Sequence, residues 1–154
     1  MVKDQRTLVV RTGEGRSLPV GASTVRLLAL GSDTADRSSV EEIDVPAGFE
    51  GPPPHFHNQT NHSWYVVEGV LSLTVAGERF DLHRGGFIYV PIGVSHTFGN
   101  TTDSHGRMVQ FTTPGGFDAY LEEIAEAFPA GTTIDPQRMI EIMARHDTYP
   151  AAET

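Results

Sequence analysis

Seven histidines stand in a chain of 154 residues, and four of them, His55, His57, His62 and His96, fall within 42 positions. Neutral imidazole is a nitrogen ligand, and several imidazoles brought together would hold a divalent metal ion. The stretch Pro52-Pro53-Pro54-His55-Phe56-His57 reads as a strand entered from prolines, which forbid a helix there. Residues two apart on a strand point the same way. His55 and His57 therefore share a face, roughly 7 Å apart along the strand, and Phe56 takes the other. Asn58-Gln59-Thr60-Asn61 is turn chemistry that lets the chain reverse and bring His62 back beside the pair. On the strand that follows, Trp64 and Val66 share the face of His62 and would form an apolar wall. Pro91-Ile92-Gly93-Val94-Ser95 is a turn feeding a strand on which His96 and Phe98 share a face. His83, His105 and His146 stand alone, and a lone histidine is ordinarily a surface or satisfied core residue.

The elements that must position these residues are short. Residues 8–11, 25–30, 40–45, 55–57, 62–68, 70–76, 79–82, 87–90, 96–100 and 107–112 read as strands separated by Gly, Pro, Asn and Asp. A spacing of roughly ten residues suggests a sandwich or barrel rather than alternating strands and helices. Inward parity also picks out Leu73 and Gln110, so the candidate pocket comprises Trp64, Val66, Leu73, Phe98 and Gln110. A polar residue such as Gln110 inside a barrel needs a partner. Over 114–146 the period changes. Thr113-Pro114 predicts a helix start, followed by Phe117, Tyr120, Leu121, Ile124 and Phe128 at helical spacing. Asp135-Pro136 repeats the signal, with Met139, Ile140, Ile142 and Met143 as the buried face of a second helix. Both helices are expected to pack against the barrel.

Composition narrows the function classes. A net charge of −9, from 20 acidic against 11 scattered basic residues, offers no basic face for phosphates and argues against nucleic-acid binding. No apolar run approaches a membrane span, and the first residues carry no apolar core of a signal peptide, so a cytoplasmic location is expected. The chain has no cysteine, which removes disulfides, thiolate nucleophiles and Cys-ligated metals. Its length suits one domain, taken as residues 1–154.

The histidine spacing resembles the two motifs of the cupin superfamily. The first, His-x-His, three or four residues, Glu, six residues, Gly, is matched over 55–69 by His55, His57, position 62 and Gly69. The second, Gly-x5-Pro-x-Gly-x2-His-x3-Asn, is matched over 85–100 by Gly85, Pro91, Gly93, His96 and Asn100. The resemblance implies an all-β fold, a jelly-roll barrel with the metal inside and, here, short C-terminal helices. It carries over His55, His57 and His96 as ligands. At position 62 the family's usual glutamate is replaced by His62, which either ligates as imidazole or no longer touches the metal. Gly86 stands where many relatives carry Asp. Pairing into a homodimer is implied by the same resemblance.

Four neutral ligands leave a divalent ion its full charge, which suits it to polarising a carbonyl and holding an enolate. The chain thus resembles the small cupin cyclases of aromatic polyketide and antibiotic pathways. That resemblance implies zinc and a poly-β-ketone or other enolisable carbonyl substrate, closed to a ring by aldol condensation. No separate base is obvious, and water activated by zinc, with a pKa of about 7, would serve. It also resembles cupin dioxygenases that cleave a flavonol or a 1,3-diketone with O2 on Fe, Ni, Mn or Cu. The flavonol-cleaving branch keeps the glutamate, so His62 counts against it; diketone-cleaving enzymes use histidines alone. A third reading is a non-catalytic small-molecule-binding cupin.

Overall fold

A computed structural model describes residues 6–152; positions 1–5, including most of the polar start of the chain, and 153–154 lie outside the described residues. The strands are β1 (Arg16–Val20), β2 (Ser23–Ala29), β3 (Ser39–Val45), β4 (His55–Phe56), β5 (Asn61–Glu68), β6 (Val70–Val75), β7 (Glu78–His83), β8 (Phe87–Val90), β9 (His96–Gly99), β10 (Gly106–Thr113) and β11 (Tyr149–Pro150). Two helices, α1 (Phe117–Ala127) and α2 (Pro136–Arg145), lie between β10 and β11. One sheet runs β1-β2-β3-β10-β5-β8 and the other β11-β4-β9-β6-β7. Each pairing within them is antiparallel. This is the all-β, two-sheet barrel expected from the motifs, with two C-terminal helices against it.

Alternation along the strands builds the interior. On β3, Ser39, Glu41, Ile43 and Val45 are buried while the residues between them are half-buried. On β5 the buried set is His62, Trp64 and Val66. Met108, Gln110 and Thr112 do the same on β10. Leu71, Leu73, Val66, Met108 and Trp64 form one apolar cluster with Leu18, Val25, Leu27, Ile43 and Val45 from the first three strands. Burying each such large side chain contributes about 1.5–3 kcal/mol, which is what closes the two sheets face to face. Tyr120, Ile124, Phe128 and Ile142 form a second cluster between the helices and the barrel.

Three expectations are corrected. Residues 8–11 are not a strand: Leu8 and Val9 are 47% and 61% exposed. The position beside β2 is taken by Arg16–Val20, which the tight turn Gly21-Ala22 pairs with it from Val20↔Ser23 onward. Thr113-Pro114 does not start α1. The chain turns through Pro114-Gly115, and the helix begins after Gly116, whose φ of 111° only glycine adopts readily. A Cβ on Gly115 would lie 2.8 Å from the Ser38 carbonyl oxygen, so the turn is packed tightly on the loop before β3. Ile140 does not join the buried face of α2 and is 45% exposed; Ile142 carries that face, with Met139 and Met143 packed beside it. The Asp135-Pro136 start is present as read, with the Asp135 carboxylate accepting from the Gln137 amide at 3.1 Å.

Candidate metal centre

β4 is only two residues long and is held on both sides. His55 pairs with His96 of β9, and Phe56 and His55 pair with Tyr149 and Pro150 of β11. The pairing of β4 with β9 brings together the two motifs, 41 positions apart in the chain. The three prolines before β4 and the Gly51 turn guide it there; a Cβ on Gly51 would meet the Phe98 carbonyl oxygen at 1.6 Å, so only glycine fits. Phe56 packs on Tyr149, away from the histidines, as alternation requires.

His55, His57 and His96 each offer a ring nitrogen, and the three ligand atoms lie within 4.8 Å of one another. Their orientation is set from behind. Nδ1 of His55 donates to the Pro53 carbonyl at 2.9 Å, that of His96 to the Val94 carbonyl at 2.8 Å, and that of His57 to the Asp147 carbonyl at 3.0 Å. A carbonyl oxygen only accepts, so in each neutral ring Nδ1 holds the hydrogen and Nε2 is bare. The Nε2 atoms of His57 and His96 are buried with no hydrogen-bond partner. Burial, joined by the neighbouring histidines, lowers the pKa of His57 to about 4 and of His96 to about 3; burial lowers that of His55 as well. Three neutral imidazoles with bare nitrogens facing one point suit a divalent cation, and an ion there would satisfy atoms that are otherwise costly to bury.

His62 is brought to the same place but is not in the three-nitrogen group. Its ring lies nearly parallel to that of His57, centroids 4.3 Å apart, and 5.3 Å from that of His96. It is buried, both its nitrogens lack a partner, and burial holds its pKa well below the usual histidine value. The lone histidines lie elsewhere: His83 is exposed, His105 faces Asp44 and Glu68, and His146 contacts Glu123.

The five candidate pocket residues all turn inward. Trp64, Val66, Leu73 and Gln110 are buried and Phe98 is partly so. Trp64 lies 5.6 Å from His62, 5.4 Å from His96 and 6.2 Å from Phe98 between ring centroids. Its indole N–H donates to the Gln110 amide oxygen at 2.9 Å, and the Gln110 amide donates onward to Glu41 at 3.2 Å. Gln110 thus finds the partners its burial demands. None of the five lines the cavity of about 390 Å³ between α1, the end of α2 and the turn after β4. Gln59, Thr60, Phe117, Tyr120, His146, Asp147 and Tyr149 are among its walls. Phe117 belongs to both regions, standing edge-on to His62 at 4.7 Å and to His57 at 6.0 Å.

Three residues near the centre were assigned no part in the site by the sequence reading. Phe117 was legible only as part of a helical stripe. Glu41 shares strand parity with Ile43 and Val45, a signal that places it inside. Asp147 gave no signal. It holds a left-handed φ of 53°, and its carboxylate accepts from the amides of Asn58 and Gln59 while its carbonyl orients His57.

Residues 41–112 match the family described as Cupin domain, and both histidine motifs fall inside that match. The chain carries a cupin domain. The cupin is 32% identical over 116 residues to a Quercetin 2,3-dioxygenase of Bacillus subtilis (strain 168), covering 73% of this chain and 33% of that protein. It is 37% identical over 60 residues to Polyketide synthase CurC of Streptomyces cyaneus, covering 39% of each. It thus spans only 33% and 39% of the length of these two curated relatives. The structure of the polyketide cyclase RemF from Streptomyces resistomycificus matches with a TM-score of 0.60 at 26% identity, over 70% of this cupin and 80% of that chain. No helix among the described residues is long and apolar enough to cross a membrane.

Proposed function

We propose that this cupin is a metal-dependent enzyme acting on an enolisable carbonyl compound, most simply a cyclase closing an aromatic ring on a poly-β-ketone. The observation that carries the reading is a ligand group made of histidine alone, His55, His57 and His96, with His62 rather than a carboxylate beside it. A divalent ion held there, zinc in this reading rather than Fe, Ni, Mn or Cu, supplies Lewis-acid polarisation of a carbonyl with no carboxylate to dilute its charge. The likeness to CurC and to the RemF cyclase supports the same chemistry.

The chain's own residues supply the rest. The Pro53, Val94 and Asp147 carbonyls hold the three imidazoles in the bare-Nε2 tautomer. The cavity of about 390 Å³ is large enough for a small molecule, and Phe117, one of its walls, also stands edge-on to His62. Trp64 and Phe98 pack as an aromatic wall beside the histidines. The reading includes a homodimer, supported by the exposed aromatic residues Tyr65, Phe87, Tyr89 and Phe111 on the outer face of the larger sheet.

A second reading, dioxygenolytic cleavage of a flavonol or 1,3-diketone, is favoured by the longer match to the quercetin dioxygenase. Metal analysis of protein purified without chelator or nickel, followed by an anaerobic assay on a poly-β-ketone, separates the two. Stoichiometric zinc and oxygen-independent turnover are expected. Stoichiometric iron with turnover that requires O2 would move the assignment to the dioxygenase, and a centre that never takes metal would leave a binding module. His57→Ala is expected to lose the metal, read by the same analysis; full occupancy in that variant would contradict the ligand set.

A further inference from the structure

Among the described residues, five buried side-chain nitrogen or oxygen atoms have no hydrogen-bond partner. Four belong to His57, His62 and His96. The fifth is Oε1 of Glu41. A native interior seldom leaves a polar atom orphaned without a functional reason. Glu41 is fully buried, on a strand whose alternate residues line the barrel. It stands opposite Gln110 in the β3–β10 pairing, and Gln110 stands opposite Trp64 in the β10–β5 pairing. One row of side chains therefore crosses three strands, from Trp64, which packs on His62 and His96, through Gln110 to Glu41. In that row Gln110 occupies Oε2 of the carboxylate and leaves Oε1 free. Every other group in the row is spoken for.

We propose that Glu41 is a catalytic residue of this centre, the base that takes a proton from the CH2 flanked by two carbonyls of the bound substrate. This rests on the carbonyl-chemistry reading of the centre. In the step, the C–H bond breaks, the proton passes to Glu41 Oε1, and the bonding pair spreads onto the flanking carbonyl oxygens as an enolate. When the enolate carbon attacks a second carbonyl of the same chain, the new alkoxide takes the proton back and Glu41 returns to carboxylate. No oxidant or reductant is needed. Two features suit Glu41 to the task. Burial, reinforced by Asp118 at the start of α1 and opposed by the hydrogen bond from Gln110, raises its pKa from 4.5 to about 7, where a general base is most effective near neutral pH. The Gln110 amide holds Oε2 and leaves Oε1 buried without a partner. Glu41 lies outside the three-histidine group, so its role is separable from metal binding.

The test compares zinc-loaded wild type with Glu41→Gln and Glu41→Asp, using ethyl 3-oxobutanoate in D2O and following loss of the C2 proton by NMR above the buffer rate. Wild type is expected to exchange that proton with a pH profile breaking near 7. Glu41→Gln should keep its zinc, lose the break and exchange about 100-fold more slowly or worse. Glu41→Asp, with the carboxylate withdrawn by one methylene, should fall in between and keep a break; it decides the matter if the glutamine variant does not fold. Zinc-loaded Glu41→Gln that exchanges within about threefold of wild type, or that loses its zinc, would overturn the assignment. Wild type that never exchanges the probe defeats the carbonyl reading itself. Contact is read separately in metal-free protein below pH 6, from the infrared band of the protonated acid that Glu41→Gln removes. Adding the probe should shift that band, and a band that stays fixed also overturns the proposal.

Discussion

A carboxyl group buried away from water is more stable neutral than charged, and Glu41 is such a group. Because its pKa in the fold, about 7, lies above the 4.5 of an exposed glutamate, the folded state binds the proton more tightly than the unfolded chain. The stability this provides is complete below pH 4.5 and is lost as the pH rises through 7. Glu41→Gln cannot ionise and escapes the loss. In metal-free protein the variant is expected to gain on wild type by on the order of 3 kcal/mol between about pH 4.5 and pH 8, measured by urea unfolding at each pH. The residue scale is also where the sequence was most and least informative. His55 and His57 were legible because strand periodicity alone puts them on one face, and His96 because its motif spacing is kept. Glu41 was passed over because it stands in Val40-Glu41-Glu42-Ile43, where two adjacent glutamates read as a solvent-facing pair unless the parity of Ile43 and Val45 is followed. His62 lies beside the cluster, its ring 4.3 Å from that of His57. Its ring stacking on His57, rather than joining the three-nitrogen group, depends on packing that spacing does not encode.

At the scale of elements, the long strands were readable from alternation and turn residues. The two-residue strands were not, because so short a segment has no period of its own. β11 exists only because β4 offers it an edge, and β1 displaced the more apolar residues 8–11 because a tight turn joins it to β2. The segment from Asp147 to Pro150 does more than cover an edge. The Asp147 carboxylate accepts from the amides of Asn58 and Gln59 at 3.0 and 2.7 Å, and the Thr148 hydroxyl lies 3.2 Å from His57 Nδ1. Replacing Asp147 by alanine leaves those amides without their acceptor and loosens the carbonyl that orients His57. Asp147→Ala is expected to lower stability by about 1–3 kcal/mol and weaken metal affinity roughly 10- to 100-fold, read by thermal unfolding and by competition with a chromogenic chelator. Unchanged affinity alongside lowered stability would show that the segment braces the fold without tuning the centre.

For the whole molecule, the distribution of aromatic residues matters more than the net charge of −9. Tyr65 and Phe87 face each other across β5 and β8 on the outer side of the larger sheet, with Tyr89 and Phe111 each opposite Ser63 from either side. A contiguous exposed aromatic patch of this kind is unusual for a monomer. Sedimentation velocity is expected to give twice the chain mass, and Phe87→Glu with Tyr89→Glu to give the monomer with the metal retained. The tie between β4 and β11 also bears on how the protein is made. His57 leaves the ribosome 90 residues before the carbonyl that aims it. A nascent chain therefore carries both histidine motifs with His57 unaimed and β4 paired on one side only until the segment from Asp147 to Pro150 emerges. An ion taken up by the proposed centre would therefore meet a fully aimed His57 only once Asp147 has emerged and folded back onto β4.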